Sequence, residues 1–530
     1  MNKHLVIFEP SGLKISVDSS KTILDAAREV GLHILADCGG IGSCGKCKII
    51  VQPPSMPTER DAQHIQSEEL QQGFRLACQH VVEEPIRVLV PYQLEDVKIL
   101  SEGVSRKWDI DKYQEGHYGI AFDLGTTTIA AYLMDLVNGV QIAQISSLNP
   151  QTAFGEDVMS RIAYAIRQED GIHLLRNTIL KEINRLVMVL YETADLDPSA
   201  LTRISVVGNT AMNHLFLGTE VRPLAFAPYT PTVKEAVTMR GVDINLNINP
   251  NCEVYVAPNI AGFVGGDTVA FILSQQLDSV KDVVLGIDIG TNGEIVLATD
   301  GQLFCCSAAA GPAFEGATIF QGMRGQNGAI EHFQIHGIDD IPEISVIGNA
   351  NPQGICGSAI IDIVAELRRI RILDQNGRMQ KVSKRVIEDA DHGLSYVVVD
   401  SEEAKEEKRI IFTQRDVRQI QLAKAAIQAG TMLLLKSLEI SRGDIARVLL
   451  AGAFGNYINP ISATAIGLLP QIDVSKIVPV GNAAGEGAKG LLLSSESRRH
   501  ADHIIESVHY IELASHSDFQ KTFIESIKLP

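Results

Sequence analysis

Twice in this chain an apolar strand breaks into Asp-x-Gly-Thr and resumes as a second strand: GIAFDLGTTTIAAYLMD at residues 119–135 and LGIDIGTNGEIVLATD at residues 285–300. The aliphatic and β-branched runs on either side predict buried strands. At the turn, Gly125 and Gly290 can adopt positive φ and let a phosphate approach the backbone. The freed N–H groups and the hydroxyls of Thr126, Thr127, Thr128 and Thr291 can then bind its oxygens. Asp123 and Asp288 stand just before the turns, where a carboxylate can hold a hydrated Mg²⁺. Asn292 and Glu294 follow the second turn and can complete that shell, the alternative for Glu294 being a strand position facing solvent. One Asp-x-Gly is also an ordinary hairpin signal; two well-separated copies in the same strand–turn–strand setting point to a repeated phosphate-binding fold. A third segment, RVLLAGAFGNYI at residues 447–458, runs a strand into Gly452, Ala453, Phe454 and Gly455. Such a turn of small or flat residues can accept an adenine and ribose against its backbone.

The first hundred residues carry a different chemistry. HLVIFEPSGLKISVD predicts two short strands around Pro10-Ser11-Gly12, and SSKTILDAAREVGL predicts a helix with Ser20 as candidate cap and Gly31 at its end. A glycine-rich loop follows, ADCGGIGSCGKCKIIV, in which Cys38, Cys44 and Cys47 have the spacing C-x5-C-x2-C; Cys78 comes later, in FRLACQH. Four thiolates in this layout suit a [2Fe–2S] cluster, whose sulfides the loop amides can reach. Structural zinc is the alternative, although zinc knuckles usually use two separated C-x2-C pairs; buried unliganded thiols are the other. Cys305 and Cys306 are strand neighbours that point to opposite faces and read as core residues.

Between the phosphate loops, NPQTAFGEDVMSRI predicts a helix from about Glu156, with Asp157 and Arg161 spaced to pair on one face. VGNTAMNH predicts a turn at Gly208-Asn209-Thr210 at a cleft edge and a core histidine, His214. In APNIAGFVGGDT, Asp267 reads either as the cap of the next helix or as a carboxylate that faces a γ-phosphate and orients water. Beyond the second loop, Glu315 can face the cleft, and Cys356 opens a helix whose N-terminus would stabilise a thiolate, the alternative being a nucleotide-contacting turn. Residues 372–408, with the charge run SEEAKEEKR, read as a solvated insertion. Gly481, Gly485 and Gly487 are placed near the nucleotide or at a hinge. The expected division is a cluster domain at 1–92, a linker at 93–116, and two phosphate-loop halves at 117–284 and 285–530.

The formal charge of −18 speaks against a general nucleic-acid binder. No apolar run of about 18 residues is present to cross a membrane. The opening MNKHLVIFEP lacks a signal-peptide core. A cytoplasmic protein without a disulfide framework is expected.

The two phosphate loops and the adenosine turn, in this order, resemble the sugar kinase, Hsp70 and actin superfamily. That resemblance implies an α/β chain with two duplicated ribonuclease-H-like halves that clamp ATP and Mg²⁺, and it places Asp267 where kinases of the superfamily keep a base. The N-terminal order is similar to the β-grasp fold of plant-type and adrenodoxin-type ferredoxins. The fusion of the two, with NPQTAFGEDVMSRI, VGNTAMNH, APNIAGFVGGDT, DIGTNGEI and LLAGAFGNYI, resembles the reductive activators of corrinoid proteins. This implies an ATP-dependent return of Co(II) corrinoid to Co(I), a corrinoid protein as partner, a low-potential electron donor and a homodimer. An activator of a radical dehydratase and a small-molecule kinase with a regulatory cluster are the alternatives.

Overall fold

The computed structural model describes residues 3–9, 11–32, 34, 36, 38–90, 106–112, 117–389, 391–401, 409–452, 455 and 457–530. The chain divides into two compact units: Met1–Glu95 with Leu148–Ile183 and His214–Pro228, and Asp96–Ser147 with Asn184–Asn213 and Tyr229–Pro530.

In the first unit, strands β1 (Lys3–Glu9), β2 (Leu13–Asp18), β3 (Lys48–Gln52), β4 (Phe74–Leu76) and β5 (Ile86–Leu89) form one sheet in the order β2-β1-β5-β3-β4. β1 and β5 run parallel at its centre while β2 and β3 run antiparallel to them. Val6, Phe8, Ile49, Val51 and Val88 alternate inward and pack against Ile23, Leu24, Ala26 and Ala27 of the helix Ile23–Glu29, the arrangement of a β-grasp. That helix is capped by Thr22 rather than Ser20: the Thr22 hydroxyl accepts from the Asp25 amide, and Asp25 reaches back to the Thr22 N–H. This reciprocal pair satisfies two helix-end donors at once.

The second unit contains two six-stranded sheets that share a five-strand order and carry their sixth strand on opposite edges. The first is built from β6 (Tyr118–Leu124), β7 (Thr128–Asp135), β8 (Gln141–Leu148), β9 (Leu201–Gly208), β10 (Val237–Arg240) and β11 (Glu253–Val256), ordered β10-β11-β9-β6-β7-β8. The second follows β12 (Val283–Ile289), β13 (Gly293–Thr299) and β14 (Gln302–Ala308). Two small sheets then intervene, β15 (Ala329–Gln334) with β16 (Glu343–Val346) and β17 (Gly354–Ile355), and β18 (Val386–Asp389) with β19 (Gly393–Val399) and β20 (Ile410–Thr413). β21 (Ile445–Ala451), β22 (Ile477–Gly481) and β23 (His509–Tyr510) complete the order β22-β21-β12-β13-β14-β23. In each large sheet a strand pairs antiparallel with the next and parallel with a later one: β6 with β7 and β9, β12 with β13 and β21. The central strands are apolar on both faces because helices cover both sides. This is the ribonuclease-H-like duplication.

Residues 372–408 depart from the expected solvated insertion. Ile372 and Leu373 are fully buried, and β19 delivers Tyr396, Val398 and Val399 into the main core. The charged residues 402–408 lie outside the described residues. Cys305 and Cys306 are buried on opposite faces of β14, one in each of two core clusters. Of the expected linker, 93–105 and 113–116 lie outside the described residues, and 106–112 is packed, with Trp108 buried.

Candidate functional sites: a cysteine loop and an acidic cleft

The cysteine loop joins the first helix to β3 in the β-grasp. Gly39, Gly40, Gly42 and Gly45 all have φ between 65° and 100°, so the loop curls back on itself in a way side chains with a Cβ resist. It gathers the thiols in two pairs. Cys47 Sγ lies 3.4 Å from Cys78 Sγ, and Cys44 hydrogen-bonds Cys38. That bond from Cys44, reinforced by the amides of Cys44, Ser43 and Gly40, draws the Cys38 thiol down to about 3, and Cys44 is pushed up in exchange. In the second pair the bond from Cys47 draws Cys78 down, with Gln79 Nε2 adding a contact at 3.3 Å, and Cys47 is pushed up. Four thiols that share protons in pairs, with amides aimed at sulfur, fit a cluster of two irons with two cysteines each. Among the described residues no three His, Cys, Asp or Glu side chains converge on a single ion.

One side of the loop is covered within the same unit. Asn149 caps a short 3-10 turn, Pro150–Phe154, and Asp157 caps the helix Val158–Arg167 by accepting from the Ser160 amide. Arg161 is fully buried and donates to the Gly155 carbonyl at 2.7 Å. Arg28, on the ferredoxin helix, donates to the Ala153 carbonyl at 2.8 Å and to the Gly39 carbonyl at 3.4 Å. Its guanidinium lies over Phe154 and Tyr164, 4.9 and 5.5 Å from their ring centroids.

The second site is a cavity of about 490 Å³ in the second unit, a size that accepts a nucleotide-scale ligand. The two Asp-x-Gly-Thr turns form its floor. Asp123, Gly125, Thr126, Thr127 and Thr128 come from the β6–β7 turn, and Asp288, Gly290, Thr291 and Asn292 from the β12–β13 turn. Thr127 and Thr291 meet across the floor, Oγ1 to Oγ1 at 3.3 Å. Gly125 and Gly290 are not in the left-handed region. What excludes a side chain at Gly125 is the Thr128 carbonyl, 2.6 Å from where its Cβ would stand. Gly452 lines the cavity at φ 91°, its would-be Cβ 2.5 Å from Asp288 Oδ1. Gly455 is buried beside it in the turn, and Ala453 and Phe454 lie outside the described residues.

Carboxylates dominate the cavity. Asp123, Asp267, Asp288, Glu294 and Glu315 all line it. Burial, with Asp267 nearby, raises Asp123 to about 7 against the opposing bond from Asn482. Burial and the neighbouring Asp267 and Asp123 raise Asp288 to about 7. Burial raises Asp267 to about 6 against its bonds from Thr268, and it carries Glu294 well above the usual carboxylate range. Neighbouring carboxylates resist ionising together, and a cation among them would favour the ionised forms.

Several sequence readings change here. Gly265, not Asp267, caps the helix Gly266–Gln275; Asp267 sits in its first turn and accepts from the Thr268 amide at 2.7 Å. Glu294 is buried and faces the cavity, not solvent, accepting from Ser307. Cys356 does cap the helix Gly357–Arg369, but burial pushes its thiol up and outweighs the helix terminus. Glu315 accepts from Thr291 at 2.6 Å, at the cleft as expected. Asn209 also takes its place there, donating to Thr126 at 2.9 Å. Gly485 and Gly487 do not line the cavity: they seat the helix Ala483–Leu493 against Tyr132 and Ala270. The sequence reading missed Asn482. It caps that helix through Gly485 N–H and donates to Asp123 Oδ2 at 2.8 Å; an asparagine just before a glycine-rich helix start signals the cap but not the bond to Asp123.

A β-grasp cysteine loop joined to a duplicated ribonuclease-H-like cleft defines an iron–sulfur ATPase of the actin, Hsp70 and sugar-kinase fold. Known proteins agree. Residues 6–83 match the 2Fe–2S iron–sulfur cluster binding domain, 118–280 the RACo middle region, and 282–530 the C-terminal ASKHA domain of RACo. The chain is 33% identical to the corrinoid activation enzyme RamQ of Eubacterium limosum, over 98% of both chains. It is 27% identical to the Co(II) methylated amine-specific corrinoid protein reductase of Methanosarcina barkeri, over 73% of this chain and 72% of that one. A solved reductive activator for corrinoid, iron–sulfur protein superposes with a TM-score of 0.72 at 30% identity, covering 99% of this chain and 98% of the other. The chain belongs to the family of reductive activators of corrinoid proteins.

Proposed function

We propose that this enzyme returns an inactive Co(II) corrinoid protein to Co(I), using ATP bound in the acidic cleft to drive one-electron transfer from a cluster held by Cys38, Cys44, Cys47 and Cys78. The observation that carries this reading is that one chain contains both the paired-thiol loop and the carboxylate-lined cleft, and matches a corrinoid activation enzyme from end to end. A [2Fe–2S] cluster supplies single-electron transfer.

Electron transfer to a base-bound Co(II) corrinoid is uphill for an ordinary centre of this kind, and no transfer exceeds what the potentials allow, ΔG = −nFΔE. ATP supplies the difference by favouring a state of the protein that binds one redox or ligation state of the partner more tightly. In the cleft, Thr126, Thr127, Thr128 and Thr291 and the amides beside Gly125 and Gly290 hold phosphate oxygens. Asp123 and Asp288 hold Mg²⁺ largely through its waters, with Asn292 and Glu294 around them. Asp267, near neutrality in its proton affinity, orients the attacking water and takes its proton. The turn at Gly452, Ala453, Phe454 and Gly455 holds adenosine.

The remaining assignments rest on the family and the sequence. The donor is a low-potential electron carrier, the enzyme a cytoplasmic homodimer, and its divisions fall near residues 92, 116 and 284. Among the described residues no helix is long and apolar enough to cross a membrane. Cys44→Ser tests the reading: ATP hydrolysis should continue while ATP-dependent reduction of a Co(II) corrinoid protein stops. Full cobalt reduction by that variant would sink the electron-transfer assignment.

A further inference from the structure

The helix Ala483–Leu493 connects two places that sequence alone keeps apart: the phosphate-loop carboxylate Asp123, and residues 106–112. At its start, Asn482 Nδ2 donates to Asp123 Oδ2 at 2.8 Å and to the Tyr132 hydroxyl at 3.1 Å. Lys489 Nζ, two turns on, stands 5.3 Å from the Tyr132 ring centroid and 2.5 Å from Glu486 Oε2. Glu486, only 2% exposed, accepts from the Arg106 backbone N–H at 2.9 Å and from Trp108 Nε1 at 3.0 Å.

The packing leaves this helix little room to slide. A Cβ at Gly485 would stand 2.5 Å from the Tyr132 hydroxyl, and one at Gly490 would stand 2.5 Å from the Trp108 ring. Gly487 lies directly on the Ala270 backbone of the helix Gly266–Gln275, which also carries Asp267. Interiors packed this closely pass a displacement on rather than absorb it. A buried carboxylate is expensive to leave unpaired, and Glu486 is spent on fixing two donors of the 106–112 segment.

We propose that Asn482, Tyr132, Lys489 and Glu486 are positioning residues that couple the nucleotide state of Asp123 to the 106–112 segment. The inference rests on ATP occupying the cleft. When nucleotide and cation engage Asp123, the Asn482 bond changes, and the helix start, the Tyr132–Lys489–Glu486 contacts and Trp108 change with it. Coupling of this kind is reciprocal.

Trp108 is the chain's one tryptophan, so its emission reports on this segment without a label. The full-length holoprotein is titrated anaerobically with a non-hydrolysable ATP analogue and Mg²⁺, binding being followed by calorimetry and Trp108 by fluorescence. For the unaltered chain the emission should change saturably, with the same midpoint as the heat. Glu486→Gln and Tyr132→Phe should bind the analogue with a Kd within about threefold of that value, while the emission change falls below about one third. Binding without an emission change in the unaltered chain overturns the coupling, as does a full response in both variants. Absence of both heat and emission change overturns the cleft assignment, and the coupling with it. Tyr132→Phe keeps the ring in place, and the unaltered chain decides alone should Glu486→Gln not fold.

Discussion

Lowering the pH from 8 to 6 should weaken Mg²⁺-dependent nucleotide binding in the cleft. Asp123 and Asp288 are each raised to about 7, and Asp267 to about 6. Folded values above the unfolded carboxylate value mean that the empty native state holds more protons than the unfolded chain, so its stability from these groups is present at low pH and declines as pH rises from about 4 through 7. One such shift corresponds to roughly 4 kcal/mol at alkaline pH, and a bound cation offsets it by favouring the ionised forms. A group titrating near 7 is about nine-tenths ionised at pH 8 and about one-tenth at pH 6, so Mg²⁺-dependent nucleotide affinity should fall about tenfold if one aspartate must ionise and about a hundredfold if both must. The assay is calorimetry with a non-hydrolysable ATP analogue and Mg²⁺ in buffers of different ionisation enthalpy, with the nucleotide's own proton release measured without protein. Between pH 6 and 7 the protein should release one to two protons per cation bound. Asp123→Asn should release fewer and titrate Asp288 at lower pH, because a like charge has gone. Equal affinity at pH 6 and 8 with no proton release would refute the reasoning.

Three further outcomes follow from particular contacts. Gly39→Ala, at φ 65° with its Cβ 2.6 Å from the Phe154 carbonyl oxygen, should cost about 1–3 kcal/mol, seen as a lower thermal midpoint and faster bleaching of the cluster. Arg28→Gln removes a buried cation next to the cysteine loop and should make the cluster's midpoint potential more negative by tens of millivolts, read in an electron-resonance titration. Cys356, with its thiol pushed up by burial, should alkylate slowly at pH 8. Because it lines the cleft, MgATP should slow it further, as peptide mapping of the modified chain would show.

The parts legible in sequence were those where spacing alone forces geometry. A C-x5-C-x2-C loop rich in glycine has few other uses, and two Asp-x-Gly-Thr turns between apolar runs locate both cleft floors before any sheet is drawn. What stayed hidden depends on contacts between distant segments. Nothing local distinguishes Asn482 from an ordinary helix cap; only the Asp123 carboxylate from the other sheet gives it a second bond. The conformational reason assigned to Gly125 was plausible for any such turn, yet the crowding carbonyl of Thr128 is a tertiary fact. Residues 372–408 were misread because the run SEEAKEEKR dominated the composition, while the continuous apolar run Tyr396–Val399 is short and ambiguous by itself. Asp267 was expected at a helix cap because carboxylates favour that position, whereas two glycines in a row let the helix begin one residue after Gly265 and place Asp267 in the first turn, facing the cavity.

The most direct test of the central claim is optical. The reduced protein is mixed anaerobically with a corrinoid protein from the same organism held as Co(II), and the visible spectrum is followed with and without MgATP. The account predicts that the Co(I) spectrum grows in only when MgATP is present, in step with ATP hydrolysis. Hydrolysis with no cobalt reduction, or reduction at the same rate and extent without nucleotide, would contradict it.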